Sequence, residues 1–139
     1  MPRECIFCQI AAGRAPAEML LETHRVLAFL DIAPVHYGHA LVIPRQHYET
    51  LLDLPDELWL EMGQVSRRLA RALQKKLYAQ GFNLGMNNYE AAGQVVPHAH
   101  LHVIPRYRDD GLHFFPQGHY QGQDMASVGR QLREVLAGL

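Results

Sequence analysis

The chain has 139 residues, enough to bury a sizeable core within one domain. Apolar residues make up 48% of it, the proportion of a globular protein and not of a disordered or fibrous one. A formal net charge of -1 argues against a dedicated nucleic-acid binder, and no apolar run reaches the ~20 residues of a membrane helix, so a cytoplasmic protein without a nucleic-acid or membrane partner is expected.

Residues 1–4 run into the rest of the chain without a signal-like apolar stretch. Cys5 and Cys8 follow at C-x-x-C spacing, which admits a redox pair, half of a metal site or two buried thiols. One such pair is not a disulfide framework, and no βαβ pattern follows it to support a thioredoxin-like reading. Residues 5–12 predict a short helix with Ile6, Phe7 and Ile10 on one side, broken by residues 13–16. Residues 19–22 and 26–31 predict a hairpin turning through Thr23, His24 and Arg25. Residues 33–38 read as a loop, and the nearly continuous apolar run 39–43 as a strand covered on both faces.

Asp53 is placed to cap a long helix, with Pro55 near its first turn and Asp56 and Glu57 favourable against the helix dipole. Leu58, Met62, Val65, Leu69, Leu73 and Leu77 step by three or four along one apolar stripe, and Gly81 is placed to end the helix. Arg67, Arg68, Arg71, Lys75 and Lys76 gather in its C-terminal half; with no aromatic residue among them they read as a solvated face. A strand over 82–87, a loop over 88–95 and a strand over 96–105 come next. Residues 107–123 form an aromatic-rich loop able to wall a pocket, and 123–139 a second amphipathic helix marked by Met125, Val128, Leu132 and Val135. Strands, helix, strands, helix in that order indicate an α+β fold.

His98, His100 and His102 alternate with Ala99, Leu101 and Val103, so in a strand the imidazoles share one face and the apolar residues face the core. A chance run of satisfied histidines is the plainest explanation. A hydrolytic metal centre is the second, although the nearby acids Glu90, Asp109 and Asp110 fall in predicted loops. Covalent catalysis by a neutral imidazole, whose ordinary pKa of about 6.5 leaves it nucleophilic near neutrality, is the third.

The repeated histidine-apolar pattern resembles the histidine triad (HIT) superfamily of nucleotide hydrolases and transferases. Gly93 and Gln94 before it, Pro105 and Arg106 after it, FLDI at 29–32 and GHALVIPR at 38–45 extend the resemblance. It implies an antiparallel sheet of about five strands with one long central helix, a C-terminal helix and a homodimer. It also implies that His100 attacks an α-phosphate to form a nucleotidyl-histidine, that the His98 carbonyl holds the other ring N–H of His100, and that a protonated His102 stabilises phosphoryl charge. Gln94 and Asn87 correspond to phosphate or leaving-group contacts, Asp31 to the acceptor of the ribose hydroxyls, and Ile6, Phe7, Ile10, Phe29 and Ile32 to the base pocket. His39 corresponds to a histidine behind the triad, and Val95 stands where many relatives carry Ser or Thr. Each also has a plainer role: an Asn ending a strand, an Asp forming a turn, apolar side chains in a core.

Some bacterial-type relatives, and the related galactose-1-phosphate uridylyltransferases, hold zinc with a C-x-x-C, a distant histidine and the first triad histidine. Here that set is Cys5, Cys8, His47 and His98, a combination suited to structural zinc. No organic cofactor is expected. The resemblance implies hydrolysis of purine nucleotide conjugates such as dinucleoside polyphosphates, with nucleoside phosphoramidates as the alternative. A nucleotide-binding scaffold with incidental catalysis is the alternative from another class.

Overall fold

The computed structural model describes residues 4–122 and 124–139; the predicted boundary between loop and helix at residue 123 lies outside them. A helix, α1 (Ile6–Ala11), precedes a hairpin of β1 (Met19–Glu22) and β2 (Val26–Leu30), followed by β3 (Ala40–Pro44). A 3-10 turn (Leu51–Asp53) leads into α2 (Asp56–Leu77), then come β4 (Gly81–Gly85), a second 3-10 turn (Glu90–Ala92), β5 (Leu101–Arg106) and α3 (Met125–Leu136). The strands form one antiparallel sheet in the order β1-β2-β3-β5-β4, as the α+β reading expects.

Alternation along the central strands divides the sheet into two chemically distinct faces. Val26, Ala28, Ala40, Val42, Ala99, Leu101 and Val103 point to α2, where Leu58, Met62, Val65, Leu69 and Leu73 meet them in the main core. Leu27, Phe29, Leu41 and Ile43 point the other way and pack with Phe7, Cys5 and Cys8 of the N-terminal segment. His102 pairs with Leu41, which places its side chain on this second face. The triad side is thus covered at one end by α1.

Two expectations about α2 are corrected. Asp53 does not cap it: its carboxylate accepts from the Thr50 N–H in a capping box around the preceding 3-10 turn, and Pro55 takes the cap position without a side-chain bond. Gly81 does not end it either. Tyr78 adopts the left-handed conformation (φ 56°) after Leu77, and Gly81 already belongs to β4. The buried stripe accordingly stops at Leu73, leaving Leu77 exposed. In α1, Phe7 is buried and Ile10 is half-buried, but Ile6, a third of a turn away, is exposed. α3 forms as expected, capped by the Asp124 side chain on the Ser127 N–H, and buries none of its residues. No helix of the described residues is long and apolar enough to cross a membrane.

Candidate functional site

The predicted histidine strand is shorter than expected. β5 begins at Leu101, so His102 alone of the triplet lies in it, while His98 and His100 occupy the extended approach. The ladder to β3 starts only at Leu101, and the Ala99 N–H turns instead to the Tyr48 carbonyl (2.7 Å). Alternation survives this break: Ala99, Leu101 and Val103 are buried in the main core, and the three imidazoles stay on the opposite side.

Hydrogen bonds assign a proton to one nitrogen of each triad ring. The Pro44 carbonyl can only accept, so His98 donates Nε2–H to it (2.8 Å), and its Nδ1 is left with a lone pair. The His98 carbonyl in turn accepts Nδ1–H from His100 (2.7 Å), leaving the His100 Nε2 lone pair unprotonated. Among the described residues no buried side-chain nitrogen or oxygen lacks a partner, so this nitrogen, which has none, opens to solvent. Val35 N–H donates to His39 Nδ1 (3.1 Å), which places the His39 proton on Nε2. That proton goes to His102 Nδ1 (2.9 Å), so His102 carries its own on Nε2.

Burial also keeps these rings neutral. It lowers the pKa of His100 and His39, and pushes His98 and His102 down to about 4. His102 is therefore a neutral N–H donor at neutral pH in the free protein. The rings are locked in place by their neighbours: the Phe7 ring stands edge-on to His98 (5.8 Å) and His100 (5.0 Å), and Phe29 stands edge-on to Phe7 (5.7 Å).

Cys5, Cys8, His47 and His98 converge, with all four ligand atoms within 4.8 Å of one another. The two facing Nδ1 atoms of His47 and His98 are 3.2 Å apart, and the sulfur-to-nitrogen separations are 3.4 Å for Cys5 to His98, 3.3 Å for Cys8 to His47 and 3.5 Å for Cys8 to His98. A tetrahedron built on the usual Zn–N and Zn–S distances of about 2.0 and 2.3 Å has edges of about 3.3 Å (N–N) and 3.5 Å (N–S). Since the His98 proton is spent on Pro44, its lone pair faces this cluster and calls for a cation. The four residues fit a structural zinc ion. Without one, burial and the neighbouring Cys5 push the Cys8 thiol up to about 11.

Asp31, His39 and His102 form a second cluster with ligand atoms equally close. Hydrogen bonding accounts for it without a metal, because the Val35 donor forces the His39 proton onto the nitrogen that would have to bind the ion. Asp31 itself lies just past β2, its Oδ1 accepting from Ala33 N–H (2.9 Å) and its Oδ2 3.5 Å from His39 Nε2.

The other predicted residues are less evenly placed. Phe7, Phe29 and Ile10 come together beside the triad, while Ile6 is exposed and Ile32 is 98% exposed on the loop after Asp31. Gln94 is committed within its turn: Oε1 accepts from Tyr89 N–H (2.6 Å), and Nε2 donates to the carbonyls of Glu49 (2.7 Å) and Val96 (3.1 Å). Asn87 follows β4 and lines a groove with His39 and His102. Sequence reasoning missed the Pro44 carbonyl and the Val35 N–H, which set the ring protons; main-chain partners leave no side-chain signal.

Residues 12–109 match the HIT domain family. The chain belongs to the HIT family. It is similar over its whole length to a HIT family protein from Bacillus anthracis, with 36% identity, 99% of that chain covered and a TM-score of 0.91. It is also similar to a Zn-bound histidine triad family protein from Mycobacterium smegmatis, at 42% identity and TM-score 0.76 over 97% of this chain and 94% of that one. Among HIT enzymes, the adenosine 5'-monophosphoramidase HNT1 of Saccharomyces cerevisiae is 38% identical over 135 residues, 97% of this chain and 82% of that one. HIT kinship supports enzymatic activity of the hydrolase type.

Proposed function

We propose that the chain is a nucleotidyl hydrolase that cleaves adenine or other purine nucleotide conjugates at the α-phosphate, through a nucleotidyl-histidine on His100. The observation that carries this reading is the order of protons across the triad, which leaves an unprotonated Nε2 on His100 beside an Nε2–H on His102. An attacking imidazole needs its other N–H held, and the His98 carbonyl does that at 2.7 Å.

The His100 Nε2 lone pair forms the bond to phosphorus, and the bond from phosphorus to the leaving group breaks with its electron pair going to the leaving atom. That atom takes a proton from solvent, while the Nε2–H of His102 stays on its ring and donates a hydrogen bond to the phosphoryl group. Water then attacks phosphorus and releases its proton to solvent, the pair of the N–P bond goes back to His100, and the nucleoside monophosphate departs. His39 holds His102 in the donating tautomer throughout. Bound at Cys5, Cys8, His47 and His98, zinc would supply structural anchoring of the N-terminal segment and of the His98 ring.

Asp31 keeps carboxylate lone pairs available for ribose hydroxyls, and Ile10, Phe7 and Phe29 offer an apolar seat for the base, with Ile6 and the exposed Ile32 at its rim. Gln94 serves by holding the turn before the triad. Asn87, lining the same groove as His102, contacts the phosphate or the leaving group. The likeness to a monophosphoramidase supports an amine leaving group. Arg106 has its guanidinium engaged by Asp110 and lends no free charge to a phosphate chain. A homodimer is supported by the apolar face of α3, which the chain leaves uncovered, and by exposed Phe82 and Leu84 on the edge strand β4.

Turnover of adenosine 5'-phosphoramidate by the wild type and by His100→Ala tests the proposal. Loss of at least a thousandfold in kcat with nucleotide Kd changed less than threefold is expected; substantial turnover by the variant would refute the covalent route.

A further inference from the structure

The loop after β5 meets the loop before β3 at one carboxylate. Asp110, whose side chain is 6% exposed, accepts on Oδ2 from Arg106 Nε (2.7 Å), Tyr107 N–H (3.2 Å) and His36 Nε2 (3.2 Å), and on Oδ1 from Arg106 Nη2 (2.9 Å) and Leu112 N–H (3.1 Å). We infer that Asp110, acting through His36, is a positioning residue for the triad: it anchors the loop over 33–38 so that His39 gives its proton to His102 and not to Asp31. The inference rests on the nucleotidyl hydrolase reading, in which the His102 N–H serves the phosphoryl group.

A carboxylate can only accept, so His36 donates Nε2–H to Asp110, and the Arg106 guanidinium keeps that carboxyl ionised by holding it well below the usual carboxylate range. The Tyr107 ring stands edge-on to His36 (5.6 Å), and the Tyr107 hydroxyl donates to the Leu77 carbonyl at the end of α2 (2.8 Å), which roots the clamp in the body of the fold. From His36 the path to the triad is main chain. The His36 carbonyl accepts the His39 N–H (3.0 Å), and the N–H of the preceding residue, Val35, donates to His39 Nδ1 (3.1 Å). Residues 32–35 are exposed and belong to neither helix nor strand, so no ladder holds the Val35 N–H in place. His36 supplies that hold.

The His39 proton has two acceptors in reach. Nε2 lies 2.9 Å from His102 Nδ1 and 3.5 Å from Asp31 Oδ2. Asp31 is the stronger acceptor by charge, since a hydrogen bond to a carboxylate is roughly twice as strong as one between neutral groups. The ring nevertheless faces His102, because the Val35 bond fixes its other edge. Freed of that bond, the ring pivots toward Asp31, and His102 Nδ1 loses the donor that keeps the His102 proton on Nε2. His102 then populates both tautomers, and the form protonated on Nδ1 turns a lone pair, not an N–H, toward the phosphoryl oxygens.

The test removes the His36 N–H in two ways and restores it in a third. His36→Phe keeps a ring against Tyr107, His36→Ala leaves the place open, and the side-chain amide of His36→Gln can again donate to Asp110. Nitrogen NMR of histidine-labelled protein reads the His39 and His102 tautomers without substrate, with turnover of adenosine 5'-phosphoramidate and thermal melting measured alongside. Wild type and His36→Gln should hold His102 as the Nε2–H tautomer alone. In His36→Phe and His36→Ala the His102 ring nitrogens should shift to values averaged over both tautomers, and kcat should fall about tenfold, part of the roughly hundredfold that one lost donor to a reacting oxygen costs, with KM changed less than about twofold. A role confined to stability would lower the melting midpoint and leave the tautomer where it was. An unmoved His102 tautomer in the folded His36→Phe or His36→Ala protein, or a His36→Gln as impaired as these, would overturn the inference. Wild-type protein that turns over no phosphoramidate would overturn the hydrolase reading, while the tautomers still decide whether Asp110 and His36 position the ring.

Discussion

Stripping zinc from the metal-loaded protein separates a structural ion from a catalytic one. The ligand atoms of Cys5, Cys8, His47 and His98 already stand at separations close to tetrahedral edges, so little rearrangement opposes binding, and the unfolded chain has no such site. An ion present at a thousand times its dissociation constant stabilises the folded state by about 4 kcal/mol. For a chain of this length each kcal/mol moves the melting midpoint by roughly 3 °C, so complete chelation should lower it by about 12 °C. Differential scanning calorimetry before and after treatment with a strong chelator, with the metal content measured in parallel, reads this directly. Cys8→Ser should reproduce the shift. Turnover assayed well below the new midpoint should fall less than tenfold, because the bonds from His98 to Pro44 and from His100 to His98 use no metal. Chelation that ended turnover without moving the midpoint would place the ion at the reacting phosphorus and refute the account.

Other expectations follow from particular residues. His102 is neutral in the folded state because burial depresses its pKa to about 4, against an unfolded value near 6.5. A depressed folded pKa means that the unfolded chain binds the extra proton first. Stability from this residue is therefore intact above pH 6.5, declines as pH falls, and is about 2 kcal/mol lower at pH 5 than at pH 7.5, with His39 acting in the same direction. Urea unfolding across that range checks it, and a His102→Asn variant should show a shallower decline. Gly38 has φ +99°, and a Cβ there would approach Leu77 Cδ1 at 2.5 Å and Leu73 Cδ2 at 2.8 Å. Gly38→Ala should cost about 2 kcal/mol in the same unfolding assay.

Apolar patterning made the sheet legible, because the continuous apolar runs 26–30 and 40–44 mark strands covered on both faces, while the period-two alternation of 98–104 sets histidines on one face and apolar residues on the other. The convergence of Cys5 and Cys8 with His47 and His98 was also readable, though only through family resemblance, since nothing in the spacing brings residue 8 to residue 98. What the sequence hid was the setting of the protons. Pro44 contributes a carbonyl and Val35 an N–H, groups every such residue carries, and only the fold selects these two. Local competition explains the other differences: Asp53 had a nearer partner in Thr50 than the helix start three residues on, and Tyr78 took the left-handed position that Gly81 seemed better suited to fill. Gln94 looked like a phosphate contact by family resemblance, yet the Tyr89 N–H and the carbonyls of Glu49 and Val96 claim its side chain.

The most direct test of the central claim is rapid-quench mass spectrometry of the protein mixed with adenosine 5'-phosphoramidate, with the adduct mapped by peptide sequencing. The account predicts an adenylyl group on His100 within the first turnover, formed before free adenosine monophosphate and absent from His100→Ala. Product appearing at full rate with no adduct on any histidine would contradict it.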